Sequence, residues 1–311
     1  MNSSINENNI PLQRVKEDFL SLKGIELYIL REDLIHPKIS GNKWRKLKYN
    51  IAEAENKGYN QILTFGGAFS NHIAATAAAG NRFGFNTIGI IRGEEILPLN
   101  ATLQLAKDNG MIFKYISREQ YKADSKYKKN FLSELKNEFD EFYMIPEGGS
   151  NEMAVKGCSE IMSNIKVDYD VICCACGNGG TLSGIIASTS KEVLGFPALK
   201  GGGFLKEDIQ ELIDKYEKMY TIKVENRNWS LITNYHFGGY AKIKPELIGF
   251  IQDFKLNHNI LLDFIYTGKM LFGIYDMIKS TDRFDGKKII VIHTGGIQGN
   301  KGFEDRLGIE I

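Results

Sequence analysis

The sequence lacks any uninterrupted apolar run of the roughly 18 residues that a membrane-spanning helix requires. Its first ten residues, MNSSINENNI, also lack the basic start and apolar stretch of a secretion signal. An excess of charge is missing too, because 39 lysines and arginines are balanced by 38 aspartates and glutamates, for a net charge of +1. We therefore expect a cytoplasmic protein that has neither a membrane nor a nucleic acid as its partner.

Cysteine is scarce, and its placement argues against two of its common uses. The chain has four cysteines, which are Cys158, Cys173, Cys174 and Cys176. They do not form two separated Cys-x-x-Cys pairs, so a structural zinc site is not expected. Three of them lie in an apolar run at residues 171–176, where a buried strand would hold them as small apolar side chains. The sequence thus predicts no metal site and no disulfide framework.

Apolar runs alternate along the chain with segments whose apolar residues are spaced three and four apart. The candidate strands are residues 26–30, 61–65, 87–92, 111–116, 142–145, 170–174, 193–196 and 288–293. The candidate helices between them include residues 44–54, 73–83, 101–106, 182–188, 204–219 and 270–278. Strands joined by crossover helices form a parallel sheet that is covered on both faces. The pattern predicts an α/β protein.

Glycine is the residue type in clear excess, with 32 residues among 311, whereas about 7% is usual. Many glycines follow predicted strands, in pairs at residues 66–67, 148–149, 179–180 and 295–296. Ligands of open α/β sheets bind outside the carboxyl ends of the strands, where such loops gather. One composite site explains the whole set better than separate turns do, although a tight turn explains any single pair equally well.

The loop at residues 176–181 predicts a binding site for a single phosphate group. It follows a predicted strand and precedes a predicted helix, and its glycines let backbone N–H groups converge on an anion. A dinucleotide-binding fingerprint would need glycine at position 182, which is leucine. A P-loop would need lysine after the last glycine, which is followed by Thr181 instead.

Two lysines lie near the start of a predicted helix. Ser40 or Asn42 would cap this helix, with Lys43 in its first turn and Lys46 three residues further on. A lysine in a first turn opposes the helix dipole, and the two ammonium groups converge on nearly the same face. The pair is costly unless an anion lies nearby or one amine is neutral, as Schiff-base chemistry requires. A solvated basic helix start is the alternative, and this segment alone favours that alternative.

A third segment, residues 66–72, ends a predicted strand and begins a helix with polar side chains. Ser70 and Asn71 lie where free backbone N–H groups could receive a carboxylate, but each could equally be an ordinary N-cap. His72 has no second histidine at ligand spacing, so we expect a hydrogen-bonded structural histidine rather than a metal ligand. No Gly-x-Ser-x-Gly elbow surrounds Ser70, which argues against an esterase.

Six motifs in this order resemble the 1-aminocyclopropane-1-carboxylate deaminase/D-cysteine desulfhydrase family, one of the tryptophan-synthase-β-like pyridoxal-phosphate enzymes. They are Ser40-Gly41-Asn42-Lys43 with Arg45-Lys46, Gly66-Gly67 with Ser70-Asn71-His72, Pro146-Glu147-Gly148-Gly149-Ser150-Asn151, Cys176-Gly177-Asn178-Gly179-Gly180-Thr181, Tyr266-Thr267-Gly268-Lys269 and His293-Thr294-Gly295-Gly296. The resemblance implies two doubly wound parallel-sheet domains and, as is usual in the family, a homodimer. The smaller domain would be inserted at residues 47–154, and residues 1–46 and 155–311 would form the larger, cofactor-binding domain.

The resemblance implies which residues hold pyridoxal 5'-phosphate. Lys43 would bond to this cofactor as a Schiff base, and Asn71 would hydrogen-bond its ring hydroxyl. Thr294 would lie near the pyridine nitrogen. The phosphate would be held by Lys46 and by the glycine loop, whose residues are Gly177, Asn178, Gly179, Gly180 and Thr181.

The resemblance also implies which residues act on the substrate, a small amino acid. Lys43 would move protons, Ser70 would receive the carboxylate and could move a proton, and Tyr266 would lie beside the reacting carbon or the leaving group. These three residues would be catalytic. The substrate-binding residues would be Ser70, Asn71, His72 and Thr267.

Two positions narrow the expected activity. Family members that open the cyclopropane ring carry Glu directly after the active-site tyrosine and Leu before the Gly-Gly pair, where this sequence has Thr267 and Thr294. A threonine would not hold the pyridine nitrogen protonated, so the cofactor would be a weaker electron sink. A weak sink is adequate for eliminating thiolate, and we expect α,β-elimination of D-cysteine to pyruvate, sulfide and ammonia. Ring opening to 2-oxobutanoate and ammonia is the alternative within the family, and a non-covalent phosphate-binding module is the alternative outside it.

Overall fold

The computed structural model describes residues 5–122 and 125–311. Its strands are β1 (Leu12–Val15), β2 (Glu26–Leu30), β3 (Gln61–Gly67), β4 (Asn86–Arg92), β5 (Ile112–Ile116), β6 (Tyr143–Ile145), β7 (Val171–Cys176), β8 (Glu192–Pro197), β9 (Trp229–Leu231) and β10 (Lys288–Ile292). Its helices are α1 (Asp18–Leu22), α2 (Asn42–Asn56), α3 (Asn71–Phe83), α4 (Ala101–Asp108), α5 (Arg118–Lys122), α6 (Ser125–Phe139), α7 (Glu152–Ser159), α8 (Gly180–Ile186), α9 (Leu205–Tyr220), α10 (Pro245–His258), α11 (Thr267–Ser280) and α12 (Asn300–Leu307). None of these helices is long and apolar enough to cross a membrane. The alternation of strands and helices confirms the predicted α/β class.

The larger sheet has six strands in the order β1-β2-β10-β7-β8-β9. Five of them are parallel, but β1 runs antiparallel to β2, so this sheet is mixed rather than wholly parallel as predicted. The physical reason is the short connection at residues 16–25, because a parallel crossover needs about a dozen residues or more. The parallel strands direct their carboxyl ends to one edge of the sheet.

The smaller sheet has four parallel strands in the order β5-β4-β3-β6. These strands come from residues 61–145, inside the segment predicted to form an inserted domain. The predicted boundaries at residues 47 and 154 fall within α2 and α7. The division into two domains therefore stays a prediction.

The central strand β7 shows why the predicted strands were easy to locate. Its six residues are all buried, and successive side chains pack into two separate apolar clusters. Ile172, Cys174 and Cys176 belong to one cluster, and Val171, Cys173 and Ala175 belong to the other. A strand that is covered on both faces is a continuous apolar run. The prediction that these cysteines are small buried side chains is confirmed.

Candidate active site

A cavity opens where β7 ends, and residues from five of the six sequence motifs line it. Its lining residues are Asn42, Lys43, Lys46, Asn71, Ala175, Cys176, Gly177, Asn178, Gly179, Thr181, Leu182, Tyr266, Thr294 and Gly295. Nine of the predicted site residues are in this set. Ligands of open α/β sheets bind at this position relative to the strands, so the cavity is the candidate active site.

Helix α2 begins directly after Gly41, which occupies the N-cap position, and its first residues line the cavity. Gly41 has a φ of 61°, and a Cβ atom added there would lie 1.9 Å from the carbonyl oxygen of Thr294. The prediction that Ser40 or Asn42 caps the helix is wrong, because the close approach of these two loops requires glycine. The Asn42 side chain instead donates to Thr181 Oγ1 at 2.7 Å. This bond ties the start of α2 to the glycine loop.

Lys46 is buried, and Lys43 is half-buried with its side chain on the cavity wall. Burial, followed by the positive charge of Lys46, lowers the pKa of Lys43 to about 7. Lys46 Nζ donates to the carbonyl oxygen of Gly148 at 3.0 Å and to Ser150 Oγ at 2.9 Å, and burial lowers the pKa of Lys46 as well. Both partners of Lys46 are neutral, so a bound anion would stabilise its charge. This burial contradicts the alternative of a solvated basic helix start.

The glycine loop lies beside the Lys46 amine. The chain turns at Gly179, with a φ of 74°, and α8 begins at Gly180, as the predicted strand–loop–helix arrangement requires. A Cβ atom added at Gly180 would lie 3.2 Å from Lys46 Nζ and 2.8 Å from Ser150 Oγ. Any side chain there would fill the space that the amine borders. The absence of side chains thus keeps room for a small anion between the loop and Lys46.

Ser70 and Asn71 lie at the start of α3, and of the two only Asn71 is among the residues that line the cavity. Ser70 is the N-cap, and its Oγ accepts from the backbone N–H of Ile73 at 3.4 Å. Asn71 Oδ1 accepts from Gln298 Nε2 at 3.0 Å, which leaves the Asn71 amide N–H groups to donate into the cavity. Sequence reasoning missed Gln298, because no motif includes it.

His72 lies behind the cavity wall and is 1% exposed. Its Nε2 is 2.8 Å from Thr64 Oγ1, whose own hydroxyl donates to the carbonyl oxygen of Ile145. Thr64 therefore accepts from His72, which carries its proton on Nε2. Burial and the charges of Lys43 and Lys46 lower the pKa of His72 well below its ordinary value, so the ring is neutral. This is the expected hydrogen-bonded histidine, and its contact with substrate stays a prediction.

The buried carboxylate of Asp263 fixes the position of Tyr266. Asp263 Oδ2 accepts from the backbone N–H groups of Ile265 and Tyr266 at 2.9 and 2.8 Å. The Tyr266 hydroxyl lies at the cavity wall, 3.2 Å from where a Cβ atom on Gly177 would be. Sequence reasoning missed Asp263, although an aspartate that binds the backbone N–H groups two and three residues later is a known turn pattern.

Thr267 is fully buried, and its hydroxyl is committed to Asp263. Thr267 Oγ1 donates to Asp263 Oδ1 at 2.7 Å and accepts from the Asp263 backbone N–H at 3.0 Å. Thr267 is not among the residues that line the cavity. The structure therefore does not bring Thr267, a predicted substrate-binding residue, to the cavity surface.

Tyr240 is a further residue that sequence reasoning missed. Its ring meets the ring of Tyr266 edge-on, with 6.2 Å between the centroids. Burial raises the pKa of Tyr266 well above its ordinary value, and the neighbouring Tyr240 raises it further. Tyr266 consequently keeps its proton at neutral pH. Tyr240 lies in an irregular segment, where no helical or strand pattern marks its position.

The donor set of the cavity fits the expected cofactor, pyridoxal 5'-phosphate. Among the described residues that line it, two are lysines and none is acidic, which suits an anionic ligand. Lys46 and the glycine loop could hold the phosphate, and Asn71 could donate to the ring hydroxyl. Lys43 has the partly neutral amine that attack on an aldehyde requires.

Comparisons with known proteins agree with this geometry. Residues 4–295 match the sequence model of a family described as pyridoxal-phosphate dependent enzyme. The chain is 33% identical over 294 residues to a Pyrococcus horikoshii protein provisionally named 1-aminocyclopropane-1-carboxylate deaminase, with 91% of this chain and 88% of the relative covered. It is 32% identical over 298 residues to the mitochondrial bifunctional D-cysteine desulfhydrase/1-aminocyclopropane-1-carboxylate deaminase of Arabidopsis thaliana, with 89% of this chain and 73% of the relative covered. The crystal structure of an ACC deaminase homologue superposes with a TM-score of 0.84 at 31% identity, with 98% of this chain and 94% of that chain covered.

Proposed function

The chain belongs to the pyridoxal-phosphate dependent enzymes, and among them to the 1-aminocyclopropane-1-carboxylate deaminase/D-cysteine desulfhydrase family; we propose that it acts as a D-cysteine desulfhydrase. The reaction would convert D-cysteine and water to pyruvate, hydrogen sulfide and ammonia by α,β-elimination. The family match speaks against the alternative of a phosphate-binding module without a covalent cofactor.

The observation that carries this proposal is that the described residues of the cavity wall offer no carboxylate to hold the pyridine nitrogen protonated. None of the described lining residues is acidic, and Thr267 and Thr294 stand where ring-opening members carry Glu and Leu. A neutral neighbour of the pyridine nitrogen would leave the ring a weak electron sink. Thiolate is a good leaving group and does not need a strong sink, whereas breaking a carbon–carbon bond makes a greater demand.

The chain's own residues supply the groups that such an elimination needs. Pyridoxal phosphate, when bound, withdraws electrons from the bonds at the α-carbon of an amino acid. Lys43, with a pKa of about 7, can take up a proton on Nζ at neutral pH. Ser70 and the backbone N–H groups at the start of α3 would receive the substrate carboxylate. Tyr266 keeps its proton and would hydrogen-bond the departing sulfur atom.

Opening of the cyclopropane ring is the second candidate, and the names of all three similar proteins reported above favour it. The Arabidopsis thaliana relative carries both activities in its name. The same residues would then act on 1-aminocyclopropane-1-carboxylate, with 2-oxobutanoate and ammonia as products.

The two candidates are separated by their products. The purified holoenzyme is incubated with D-cysteine, with L-cysteine and with 1-aminocyclopropane-1-carboxylate, and sulfide and each keto acid are assayed. We expect equal amounts of sulfide and pyruvate from D-cysteine and little product from the other two compounds. Lys43→Ala is the control for the reaction of free cofactor with thiols. Formation of 2-oxobutanoate alone, without sulfide from either cysteine, would contradict the proposal.

We also propose that the chain forms a homodimer, as is usual in the family it belongs to. Light scattering on the holoenzyme is then expected to give twice the chain mass of 35.0 kDa. A mass of one chain over a range of protein concentrations would contradict this assembly.

A further inference from the structure

Lys269 is a buried lysine that the proposed reaction does not use. It lies in the first turn of α11, shortly after Tyr266, and is 2% exposed. A lysine at the start of a helix opposes the helix dipole. Burial lowers its pKa to about 8, and the charge of Asp263 opposes this shift. An ammonium group in so unfavourable a place must be stabilised by the bonds that it makes.

Those bonds join two turns of a single loop. Lys269 Nζ donates to the carbonyl oxygens of His236 and Gly239 at 3.0 and 2.8 Å. The His236 carbonyl oxygen also accepts from the backbone N–H of Gly239 at 2.9 Å, and that of Gly239 accepts from Lys242 at 3.1 Å. The amine therefore connects two consecutive turns of residues 236–242, which we name the Tyr240 loop.

The backbone of the Tyr240 loop is one that needs support. The backbone φ angles of Phe237 and Ala241 are both 54°. This is a left-handed conformation that residues other than glycine rarely adopt. Between them, Gly238 and Gly239 have φ angles of 98° and 127°. Phe237 also packs edge-on against Phe272 of α11 at 4.9 Å. Helix α11 thus holds the loop at two points, one apolar and one polar.

The same helix holds both members of the tyrosine pair, of which Tyr266 lines the cavity and Tyr240 packs behind it. Tyr266 immediately precedes α11 and is held by Asp263. Tyr240 lies between the Gly239 carbonyl that Lys269 binds and the left-handed residue Ala241. Without the amine, the Phe237–Phe272 packing and the Tyr240–Tyr266 contact would still join the loop to α11 and its N-cap residue, but Tyr240 would be held less firmly against Tyr266.

We propose that Lys269 is a positioning residue, whose amine holds Tyr240 against Tyr266 and through that pair sets the rate of turnover. Lys269 does not line the cavity, so it touches neither substrate nor cofactor. The inference rests on the proposed function only in that it assumes a turnover to measure. It predicts an effect on turnover that is transmitted by Tyr240 and leaves cofactor binding unchanged.

The first test compares three variants of the holoenzyme. Lys269→Met removes the two bonds but keeps an unbranched side chain of similar shape. Lys269→Arg keeps a cationic donor, and Lys279→Met is an exposed control on the same helix. We expect Lys269→Met to lower kcat on the order of 10- to 100-fold, with the Kd for pyridoxal phosphate unchanged. Lys269→Arg should restore part of the loss, and Lys279→Met should have no effect. Amide hydrogens of residues 236–242 should exchange faster in Lys269→Met alone.

A double-mutant cycle with Tyr240→Phe decides whether Lys269 acts through Tyr240. We expect the double variant to have the kcat of the slower single variant, because each change disables the same pair. Losses that multiply would overturn the proposal, as would a fall in kcat that comes with an equal loss of cofactor affinity. If Lys269→Met does not fold, Lys269→Gln replaces it in the cycle.

The test separates failure of this inference from failure of the proposed function. A wild-type enzyme that acts on 1-aminocyclopropane-1-carboxylate instead of D-cysteine would refute the desulfhydrase assignment, and the cycle would be run on that substrate. If the wild type is inactive on every compound, amide hydrogen exchange decides whether Lys269 holds the Tyr240 loop. Unchanged exchange of residues 236–242 in Lys269→Met would then overturn the role of Lys269, and faster exchange confined to them would support it.

Discussion

Burial, with the positive charge of Lys46 as the second cause, alters the chemistry of Lys43. Its pKa of about 7 compares with an ordinary value of 10.5, so near pH 7 roughly half of the amine is unprotonated. The unprotonated form is the one that attacks an aldehyde and the one that takes up a proton. At the scale of one residue, desolvation thus prepares the amine for both of its proposed tasks.

This lowered pKa predicts how fast the cofactor-free protein takes up pyridoxal phosphate at different pH values. The rate should rise as pH rises through about 7, because the free amine replaces the ammonium, and then level off. Borohydride reduction fixes the bound pyridoxal phosphate to the protein, and mass spectrometry then locates it on the peptide that contains Lys43. Lys43→Ala is the control. A rate that still rose tenfold per pH unit above about pH 8 would indicate an ordinary lysine and contradict the prediction.

A second residue-scale prediction concerns Gln298, which donates to Asn71 Oδ1 at 3.0 Å. Gln298→Ala would leave the Asn71 amide free to turn, so that its N–H groups no longer point reliably into the cavity. One hydrogen bond is worth about 1 kcal/mol, and the Kd for pyridoxal phosphate should rise about fivefold. Equilibrium titration by absorbance measures it. Gln210→Ala, which removes an exposed amide from α9, should bind as the wild type does, and equal affinity of all three proteins would refute the role of Gln298.

At the scale of elements, glycine decides how closely α2 and α7 approach. A Cβ atom added at Gly157 of α7 would lie 1.8 Å from the carbonyl oxygen of Arg45 in α2. Gly157→Ala should therefore destabilise the fold by about 1–3 kcal/mol. Gly249→Ala in α10 is the matched control, since a Cβ atom there meets nothing within 4 Å, and it should stabilise the fold by up to about 1 kcal/mol. Urea unfolding of both variants measures the difference, and equal midpoints would contradict it.

The elements that the sequence predicted best are those whose burial is uniform. All eight predicted strands are present. Those covered on both faces, such as β7, are runs of apolar residues, whereas the edge strands β5 and β6 were found although they are partly exposed. The pattern missed β1 and β9, which are edge strands of four and three residues and are partly exposed. It also misassigned the start of α2. The glycine at that N-cap is required by Thr294, a residue far away in the chain that no local pattern includes.

The candidate site was predictable where its residues occur in ordered motifs, and Lys43, Lys46 and the glycine loop do meet at one cavity. Residues that act through another residue were not predictable in this way. Asp263 and Tyr240 acquire their significance only from contacts with Tyr266. The motif around Tyr266 includes Thr267, but no sequence pattern indicates that the Thr267 hydroxyl hydrogen-bonds to Asp263.

At the scale of the whole molecule, charge is balanced overall but not locally. The net charge is +1, yet the cavity gathers two lysine amines, and a neutral buried histidine lies behind them. Burial lowers the pKa values of all three groups. The folded chain therefore binds fewer protons at these positions than the unfolded chain does, and the stability of the cofactor-free protein must depend on pH.

The sign of that dependence follows from the lowered pKa of Lys43. Its pKa is about 7 in the folded protein and 10.5 in the ordinary, unfolded environment, so between these values the unfolded chain binds more protons. The free energy of unfolding must then increase with pH across this window. Other groups titrate there as well, so the informative quantity is the difference between the wild type and Lys43→Met in urea unfolding of the cofactor-free proteins. We expect the wild type to gain stability relative to Lys43→Met as pH rises from about 7 to about 9. A difference that stays constant would mean that the Lys43 amine is solvated in the folded protein, and its proposed readiness for covalent bonding would lose its physical basis.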